Sequence, residues 1–181
     1  MSETILVTGA SAGFGQAICR RLVADGYRVI GSARRIEKLQ ALQEELGEAF
    51  YPLQMDVTDL SQVDHALASL PKAWERVDVL VNNAGLALGL APAYEAEVAD
   101  WLTMIQTNIV GLTYLTRKIL PQMVERNDGY IINLGSTAGT VPYPGANVYG
   151  ASKAFVKQFS LNLRADLAGK KIRVSNIEPG L

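Results

Sequence analysis

Four short, unbroken apolar runs constrain the fold of this chain more than any other feature. They read Ile5-Leu6-Val7, Val29-Ile30, Val79-Leu80-Val81 and Ile131-Ile132. A strand with one face in water alternates apolar and polar residues, whereas a strand buried on both faces does not. The runs are also too short for helices. They therefore predict strands of a parallel sheet that is covered on both faces.

Longer amphipathic stretches separate these runs and predict helices. The first helix closes at Asp25-Gly26 and the second at Gly47, because glycine after the last apolar residue stops a helix. Asp59 and Gln62 have the spacing of a capping box that opens a third helix. The later predicted elements are long helices from Trp101 to Met123 and from Tyr149 to Leu167, and a strand from Ile172 to Ile177. Strand and helix alternate throughout, so the predicted fold class is α/β with a parallel sheet.

Composition excludes several classes of protein. With 181 residues, 49% of them hydrophobic, and a net charge of −1, the chain is expected to form one domain over 1–181 rather than a disordered segment. The balanced charge offers no attraction for nucleic acid or an anionic membrane. The one cysteine, Cys19, cannot form an internal disulfide, and Met1 to Leu6 lacks a basic leader. These features predict a soluble, cytoplasmic protein without a metal site.

The chain stops at Leu181, directly after the last predicted strand and Pro179-Gly180. Ending there leaves that strand as a bare edge, which proteins usually avoid. We therefore expect that more polypeptide follows.

A glycine-rich turn joins the first strand to the first helix. Glycines allow a tight turn and close backbone approach, and a helix N-terminus presents free N–H groups to a phosphate. Alone, the pattern is equally consistent with a structural turn, but its place at the start of a βαβ unit favours a dinucleotide. The predicted contacts are Gly9, Ala10, Ser11, Ala12, Gly13, Phe14 and Gly15.

The end of the second strand indicates which dinucleotide is bound. A site for NAD usually places a carboxylate here, whereas this sequence has Ala33 followed by Arg34 and Arg35. Guanidinium groups pair with phosphate, so the two arginines favour the 2′-phosphate of NADP. The alternative is a solvated pair of charges that starts a helix.

Polar residues also follow the third and fourth predicted strands, at the edge where open α/β sheets bind ligands. Asp56-Val57 is predicted to contact the adenine, and Asn83, Ala84 and Gly85 the adenosine ribose. Alternatively, Asp56 caps a turn and Asn-Ala-Gly is simply a turn.

Tyr149 and Lys153 are the most informative pair, because residues four apart share one face of a helix. A free phenol has a pKa of about 10 and is a poor acid or base at neutral pH, but a nearby ammonium stabilises the phenolate. Alone, such a pair is more often a solvent-facing one. Ser136 follows the fifth strand, where its hydroxyl can donate to a substrate carbonyl. Asn108 lies inside a long helix, where local backbone bonding, a buried water or a proton-relay water each explain it.

Together these residues resemble the short-chain dehydrogenase/reductase family. The resemblance rests on TGASAGFG at 8–15, NNAG at 82–85, Asn108, Ser136, Tyr149-x-x-x-Lys153 and Pro179-Gly180. NNAGLALG, GSTAG and IEPGL further resemble the bacterial NADP-dependent 3-hydroxy acid dehydrogenases, which oxidise serine, allo-threonine and related acids and reduce malonic semialdehyde.

The resemblance implies a Rossmann-type, doubly wound, three-layer αβα sheet and a catalytic set of four residues. Tyr149 would exchange a proton with the substrate oxygen, and Lys153 would lower its pKa and hold the nicotinamide ribose. Ser136 would position substrate together with Tyr149, and Asn108 would hold a water that links Lys153 to solvent. Pro179 and Gly180 would contact NADP(H). Family members are longer, which implies a missing substrate-closing segment and a missing last strand.

The predicted function is therefore NADP-dependent hydride transfer at the 3-hydroxyl carbon of short 3-hydroxy acids, including 3-hydroxypropionate and malonic semialdehyde. One alternative is a reductase of unrelated ketones or aldehydes, and another is a non-catalytic NADP-binding sensor or scaffold. The resemblance also implies a homotetramer. His65 is expected at the surface, and Cys19 as a small buried hydrophobe.

Overall fold

A computed structural model describes residues 3–180 of the chain. In this range the chain forms six strands, all in one parallel sheet. Their bounds are β1 Thr4–Thr8, β2 Arg28–Ala33, β3 Phe50–Gln54, β4 Val79–Asn82, β5 Gly129–Leu134 and β6 Ile172–Ile177.

Helices connect successive strands. Their bounds are α1 Gly13–Ala24, α2 Ile36–Leu46, α3 Leu60–Ala68, α4 Val98–Ile105, α5 Leu112–Arg126 and α6 Asn147–Asp166. A π-helical turn, Gln106–Gly111, joins α4 to α5, and short 3₁₀ turns occupy Gly47–Ala49 and Thr137–Gly139. Along the described residues, no helix combines the length and apolar character needed to cross a membrane.

The strand order is β3-β2-β1-β4-β5-β6, which confirms the Rossmann-type arrangement. The chain moves outward from β1 to β3 and then crosses back to β4 on the other side of β1. Connections therefore leave β1 and β4 in opposite directions, which opens a crevice at the carboxyl ends of these strands. The polar motifs of the sequence follow strands that end at this crevice.

Apolar residues fill both faces of the sheet, as the unbroken runs predicted. Leu6 and Leu80 belong to a core cluster with residues of α3, α5 and α6, whereas Val7 and Val81 pack with residues of α1 and α2. Neighbours in a strand point to opposite faces, so each run supplies both cores. The three αβα layers follow from this packing.

Two local predictions need correction. The helix predicted from Trp101 begins at Val98, and its middle is widened into the π turn. Asp59 does accept the backbone N–H of Gln62 at 3.0 Å, but the Gln62 side chain accepts from the backbone N–H of Asp56 instead of returning to Asp59. The capping box is therefore only half formed, because the third-strand exit competes for the glutamine oxygen.

Candidate active site

A cavity of about 730 Å³ lies in the crevice. Its volume falls within the usual range for small-molecule and cofactor sites. Most of the residues predicted to contact cofactor or substrate line it: Gly9, Ser11, Ala12, Gly13, Phe14, Arg34, Arg35, Asp56, Val57, Asn83, Ala84, Gly85, Ser136, Tyr149, Lys153, Pro179 and Gly180. The chain thus brings residues that follow all six strands of the described sheet to one site.

The glycine-rich turn has a backbone shape that requires glycine. Gly9 has φ of +69°, and a Cβ on it would lie 2.9 Å from Nδ2 of Asn83. A Cβ on Gly15 would lie 2.2 Å from the carbonyl oxygen of Gly9, so α1 begins directly against the turn. The first N–H groups of a helix have no partner within the helix. In this chain, α1 begins directly after the glycine-rich turn, and no side chain caps its N-terminus. These residues fit the pyrophosphate of a dinucleotide.

Two of the predicted cofactor contacts lie beneath the wall of the cavity instead of in it. Ala10 is fully buried in the core, and its N–H donates to the carbonyl of Ser32 at 3.0 Å. Gly15 is buried against Gly9. Both residues shape the turn from behind, because close packing of strand, turn and helix needs small residues there.

Asn83 braces the turn from β4. Its Nδ2 donates to the carbonyl of Thr8 at 2.8 Å, while the Thr8 hydroxyl accepts from the N–H groups of Asn83 and Ala84 at 3.0 and 2.9 Å. Asn83 was predicted to contact the ribose. Its Nδ2 is bonded to the backbone of the turn, and the residue also lines the cavity. Sequence reasoning missed Thr8, although it stands at the head of the glycine motif.

The exit of β2 carries the two predicted arginines. Arg34 and Arg35 are exposed at the cavity rim, and Arg35 donates to the Ser11 hydroxyl at 3.2 Å. The rim therefore has two cations beside the glycine turn. Asp56 lines the cavity too, but its Oδ1 accepts from the backbone N–H and hydroxyl of Thr58 at 2.9 and 2.8 Å. The turn-capping alternative for Asp56 is thus present alongside its place in the wall.

Tyr149 and Lys153 enter the cavity from the first turns of α6. The Lys153 Nζ lies 5.8 Å from the centroid of the Tyr149 ring and donates to the carbonyl of Leu134 at 2.8 Å. Lys153 is only 7% exposed. Because burial disfavours the charged form, the pKa of its ammonium falls from 10.5 to about 8. The site therefore holds a lysine that can gain or lose a proton close to neutral pH.

Ser136 lies directly after β5, on the cavity wall. Its hydroxyl accepts the N–H of Ala138 at 3.1 Å and so opens the 3₁₀ turn. This leaves the hydroxyl proton for another acceptor, because a hydroxyl both accepts and donates. Ser136, Tyr149 and Lys153 therefore line the same cavity.

Asn108 lies in the π turn, behind the wall of the cavity. Its Oδ1 accepts from the N–H of Leu86, and its Nδ2 donates to the carbonyl of Leu86 and to the hydroxyl of Ser152, at 2.9, 2.9 and 3.0 Å. A Cβ on Gly85 would lie 3.3 Å from both Asn108 Oδ1 and Lys153 Nζ. Asn108 and Lys153 therefore flank Gly85. The partners of Asn108 are distant in sequence, so local backbone bonding does not explain it.

Sequence reasoning missed part of the wall near Ser136 and Tyr149. The residues concerned are Leu86, Ala87, Thr107, Thr137, Ala138, Val141 and Tyr143. Several of them are neighbours of motif residues in the sequence, which was the only available signal.

The predictions for the one histidine and the one cysteine are confirmed. His65 is exposed, and Cys19 is buried, which raises the pKa of its thiol to about 12.

Comparison with known proteins decides the family. The family described as short chain dehydrogenase matches residues 3–181. The chain belongs to this family. The resemblance seen in the sequence motifs is confirmed.

Several short-chain dehydrogenases are similar to this chain over nearly its whole length. The NADP-dependent 3-hydroxy acid dehydrogenase YdfG of Salmonella typhi is 62% identical over 98% of this chain and 71% of that protein. Serine 3-dehydrogenase of Agrobacterium fabrum is 53% identical over 100% of this chain and 72% of that protein. The predicted resemblance to the 3-hydroxy acid dehydrogenases is confirmed.

Solved structures agree with these similarities. Serine dehydrogenase from Escherichia coli has a TM-score of 0.97 at 60% identity, over 98% of this chain and 82% of that one. The closed form of serine dehydrogenase complexed with NADP⁺ also has a TM-score of 0.97, over 98% of this chain and 72% of that one. This short-chain dehydrogenase therefore shares its fold with an enzyme whose complex with NADP⁺ has been solved.

Proposed function

We propose that this short-chain dehydrogenase transfers a hydride between NADP and the 3-hydroxyl carbon of short 3-hydroxy acids, such as serine, allo-threonine and 3-hydroxypropionate. Its enzyme class is that of an NADP-dependent oxidoreductase, as in the relatives described above. One observation carries the chemistry: Tyr149, Lys153 and Ser136 line the same cavity, and the Lys153 side chain is buried.

In this proposal, Tyr149 is the residue that gives and takes the proton of the substrate oxygen. A phenol needs a stabilised anion to act near neutral pH, and the Lys153 ammonium on the same helix face provides it. The 2.8 Å bond to the Leu134 carbonyl fixes where the ammonium stands. Ser136 donates its free hydroxyl proton to the same substrate oxygen, which orients the reacting carbon.

Asn108 supports this arrangement from behind. It ties Leu86 and the Ser152 hydroxyl, and Ser152 in turn donates to the carbonyl of Tyr149 at 2.7 Å. The π turn that carries Asn108 interrupts regular helical bonding, which is common at functional sites. We propose that a water held there passes protons between Lys153 and solvent.

The nicotinamide supplies the hydride chemistry when it is bound. This chain contributes the glycine turn for the pyrophosphate, Arg34 and Arg35 for the 2′-phosphate, and Asp56, Val57, Asn83, Ala84 and Gly85 for the adenosine. Lys153, Pro179 and Gly180 would hold the nicotinamide end. The exposed arginines beside Ser11 support NADP, because phosphate pairs with guanidinium and no carboxylate stands there.

Replacement of Tyr149 with Phe tests the proposal. This change removes only the hydroxyl, so turnover of serine or 3-hydroxypropionate should fall by about 10³-fold or more, because the acid–base group is lost. The NADPH dissociation constant, measured by fluorescence titration, should change less than about twofold. As a matched control, Tyr27→Phe removes a hydroxyl from a residue that packs against the core formed with α1 and α2 and does not line the cavity, so turnover should stay intact. Retained turnover in Tyr149→Phe would overturn the assignment.

A substrate panel separates this proposal from its rivals. Faster turnover of 3-hydroxy acids than of matched neutral secondary alcohols supports it. The reverse preference would indicate a reductase of unrelated ketones or aldehydes. Tight NADPH binding without turnover of any panel member would indicate a sensor or scaffold.

We further propose that the chain acts as a single dinucleotide-binding domain in the cytoplasm and assembles as a homotetramer. Exposed apolar side chains on the α4 and α6 faces, including Leu102 and Phe155, support the assembly. Sedimentation of the purified protein measures it directly.

A further inference from the structure

The segment 84–91 follows β4 without regular secondary structure. Its first four residues, Ala84, Gly85, Leu86 and Ala87, line the cavity together with Tyr149. Near its start, the segment is held by the two bonds between Asn108 and Leu86. Its shape near the substrate depends on how the rest of the segment is fixed.

Asn147 holds the far end of this segment. Its Nδ2 donates to the carbonyl of Ala91 at 3.0 Å, and its Oδ1 accepts from the indole N–H of Trp101 at 3.0 Å and from the N–H of Val148 at 2.7 Å. One amide thus joins the segment, α4 and the first turn of α6. The two tertiary partners lie 46 and 56 residues away in the chain, so these contacts exist only in the folded protein.

A backbone contact next to Asn147 brings the same elements together. Gly145 has φ of +82°, and a Cβ on it would lie 2.2 Å from the carbonyl oxygen of Leu90. The turn before α6 therefore lies directly against the 84–91 segment. Any shift of this segment would therefore also move the start of α6, and Tyr149 lies in the first turn of that helix.

Asn147 does not line the main cavity. Residues two apart on a helix point about 200° from one another, so its side chain lies on the opposite side of α6 from Tyr149. It can affect the reaction only through the elements that it joins. An amide is suited to this place, because it donates to the Ala91 carbonyl while it accepts from the Trp101 indole.

We propose that Asn147 is a positioning residue that sets the separation between the 84–91 wall and Tyr149, and so governs how well substrate fits. This inference rests on the proposed function, because it takes the space between the 84–91 segment and the Tyr149 side chain to be the place where substrate binds. It places Asn147 outside the contacts to NADP, because Asn147 holds the segment at Ala91, beyond Ala84 and Gly85, which are the proposed contacts of this segment to the adenosine.

The test compares Asn147→Asp with Asn162→Asp. The first change keeps an acceptor for Trp101 but sets a carboxylate oxygen against the Ala91 carbonyl; the second adds the same charge on the exposed face of the same helix. In Asn147→Asp, the KM for the 3-hydroxy acid should rise about five- to tenfold, while the NADPH Kd stays within about twofold. Hydrogen exchange of residues 86–92 should become faster, and Asn162→Asp should match the parent protein in all three measurements.

Trp101→Phe gives a second route, because it removes the indole N–H that donates to Asn147, together with part of the ring of a half-buried side chain. It should raise the substrate KM about two- to threefold, and the double variant should change KM by less than the product of the single changes, since both act on one amide. If Asn147→Asp does not fold, the Trp101→Phe result decides the matter.

Three outcomes would overturn the inference: an unchanged KM in both variants, unchanged exchange of residues 86–92, or equal losses in NADPH binding, kcat and thermal stability. The last would mean that Asn147 only supports the fold. Failure of the proposed function is distinguishable, because the parent protein would then show no turnover whereas the exchange comparison still reports on the segment.

Discussion

The two cationic regions of the cavity differ in how they meet water. At the exit of β2, Arg34 and Arg35 are exposed on the rim. At the start of α6, Lys153 is only 7% exposed, and burial lowers its pKa to about 8. The arginines after β2 therefore present a permanent positive charge to a ligand. Lys153, in contrast, carries a charge that it can lose near its lowered pKa.

This difference assigns cofactor affinity to the two arginines and proton transfer to the region of Lys153. Exposed guanidinium groups stay charged at any physiological pH and select a phosphate without themselves changing state. A buried ammonium is suited to proton exchange, because its protonated and neutral forms have similar free energies near neutral pH. Changes at β2 should therefore alter which cofactor binds, and changes at Lys153 should alter what happens after binding.

Replacement of Lys153 with Met should have the largest effect. The variant keeps a similar apolar length but loses the ammonium beside Tyr149, so kcat should fall by about 10³-fold. NADPH affinity should fall much less. Steady-state kinetics and fluorescence titration measure the two quantities, and Lys170→Met, at an exposed site after α6, serves as the control. If the kcat of Lys153→Met stays within tenfold of that of the parent protein, the proposed role of Lys153 in catalysis is wrong.

Replacement of Arg34 or Arg35 with Ala should affect binding instead. A hydrogen bond to a charged group contributes about 1.5–3 kcal/mol, so the NADPH Kd should rise roughly 10- to 100-fold. The NADH Kd should change little, because NADH lacks the 2′-phosphate. Arg117→Ala, on the exposed surface of α5, controls for loss of positive charge. Equal losses for NADPH and NADH would contradict the assignment.

A smaller effect should appear in the pH dependence of folding. The pKa of Lys153 is about 8 when folded and 10.5 ordinarily, so between these values the unfolded chain binds a proton that the folded protein does not. The free energy of unfolding should therefore rise with pH in this window. Relative to Lys153→Met, the cofactor-free parent protein should gain about 2 kcal/mol between roughly pH 7 and 9.5.

Urea denaturation of both proteins across this range measures that gain. Lys170→Met should follow the parent curve, since its side chain is exposed. Parallel curves for the parent protein and Lys153→Met would show that Lys153 has the same pKa in the folded protein as in the unfolded chain, which would contradict the prediction.

The sequence was informative wherever neighbours in the chain set the structure. Periodicity located β6 at Ile172–Ile177, and the spacing of Tyr149 and Lys153 put both on one helix face. The glycine turn was also local, because its strand and helix follow each other directly.

Features that depend on distant contacts could not be predicted in the same way. The sequence around Asn108 did not predict a π turn, because the partners that hold Asn108 are distant in the chain. The close approach of Gly111, the last residue of this turn, to the exit of β3 is likewise seen only in the fold, where a Cβ on it would lie 2.7 Å from the Val57 carbonyl oxygen. The bonds of Asn83 and Asn147 likewise join residues far apart in the chain.

The bonds from Asn83 to the glycine turn have a consequence for the speed of cofactor capture. The turn is bonded to β4 through the Thr8 carbonyl and hydroxyl, so contacts within the protein itself fix the shape of its backbone. Little backbone entropy then remains to be lost on docking, and encounter can lead to capture without a slow rearrangement of the loop. In this respect the phosphate cradle behaves as a rigid receptor, and any adaptation during the catalytic cycle falls to other parts of the cavity.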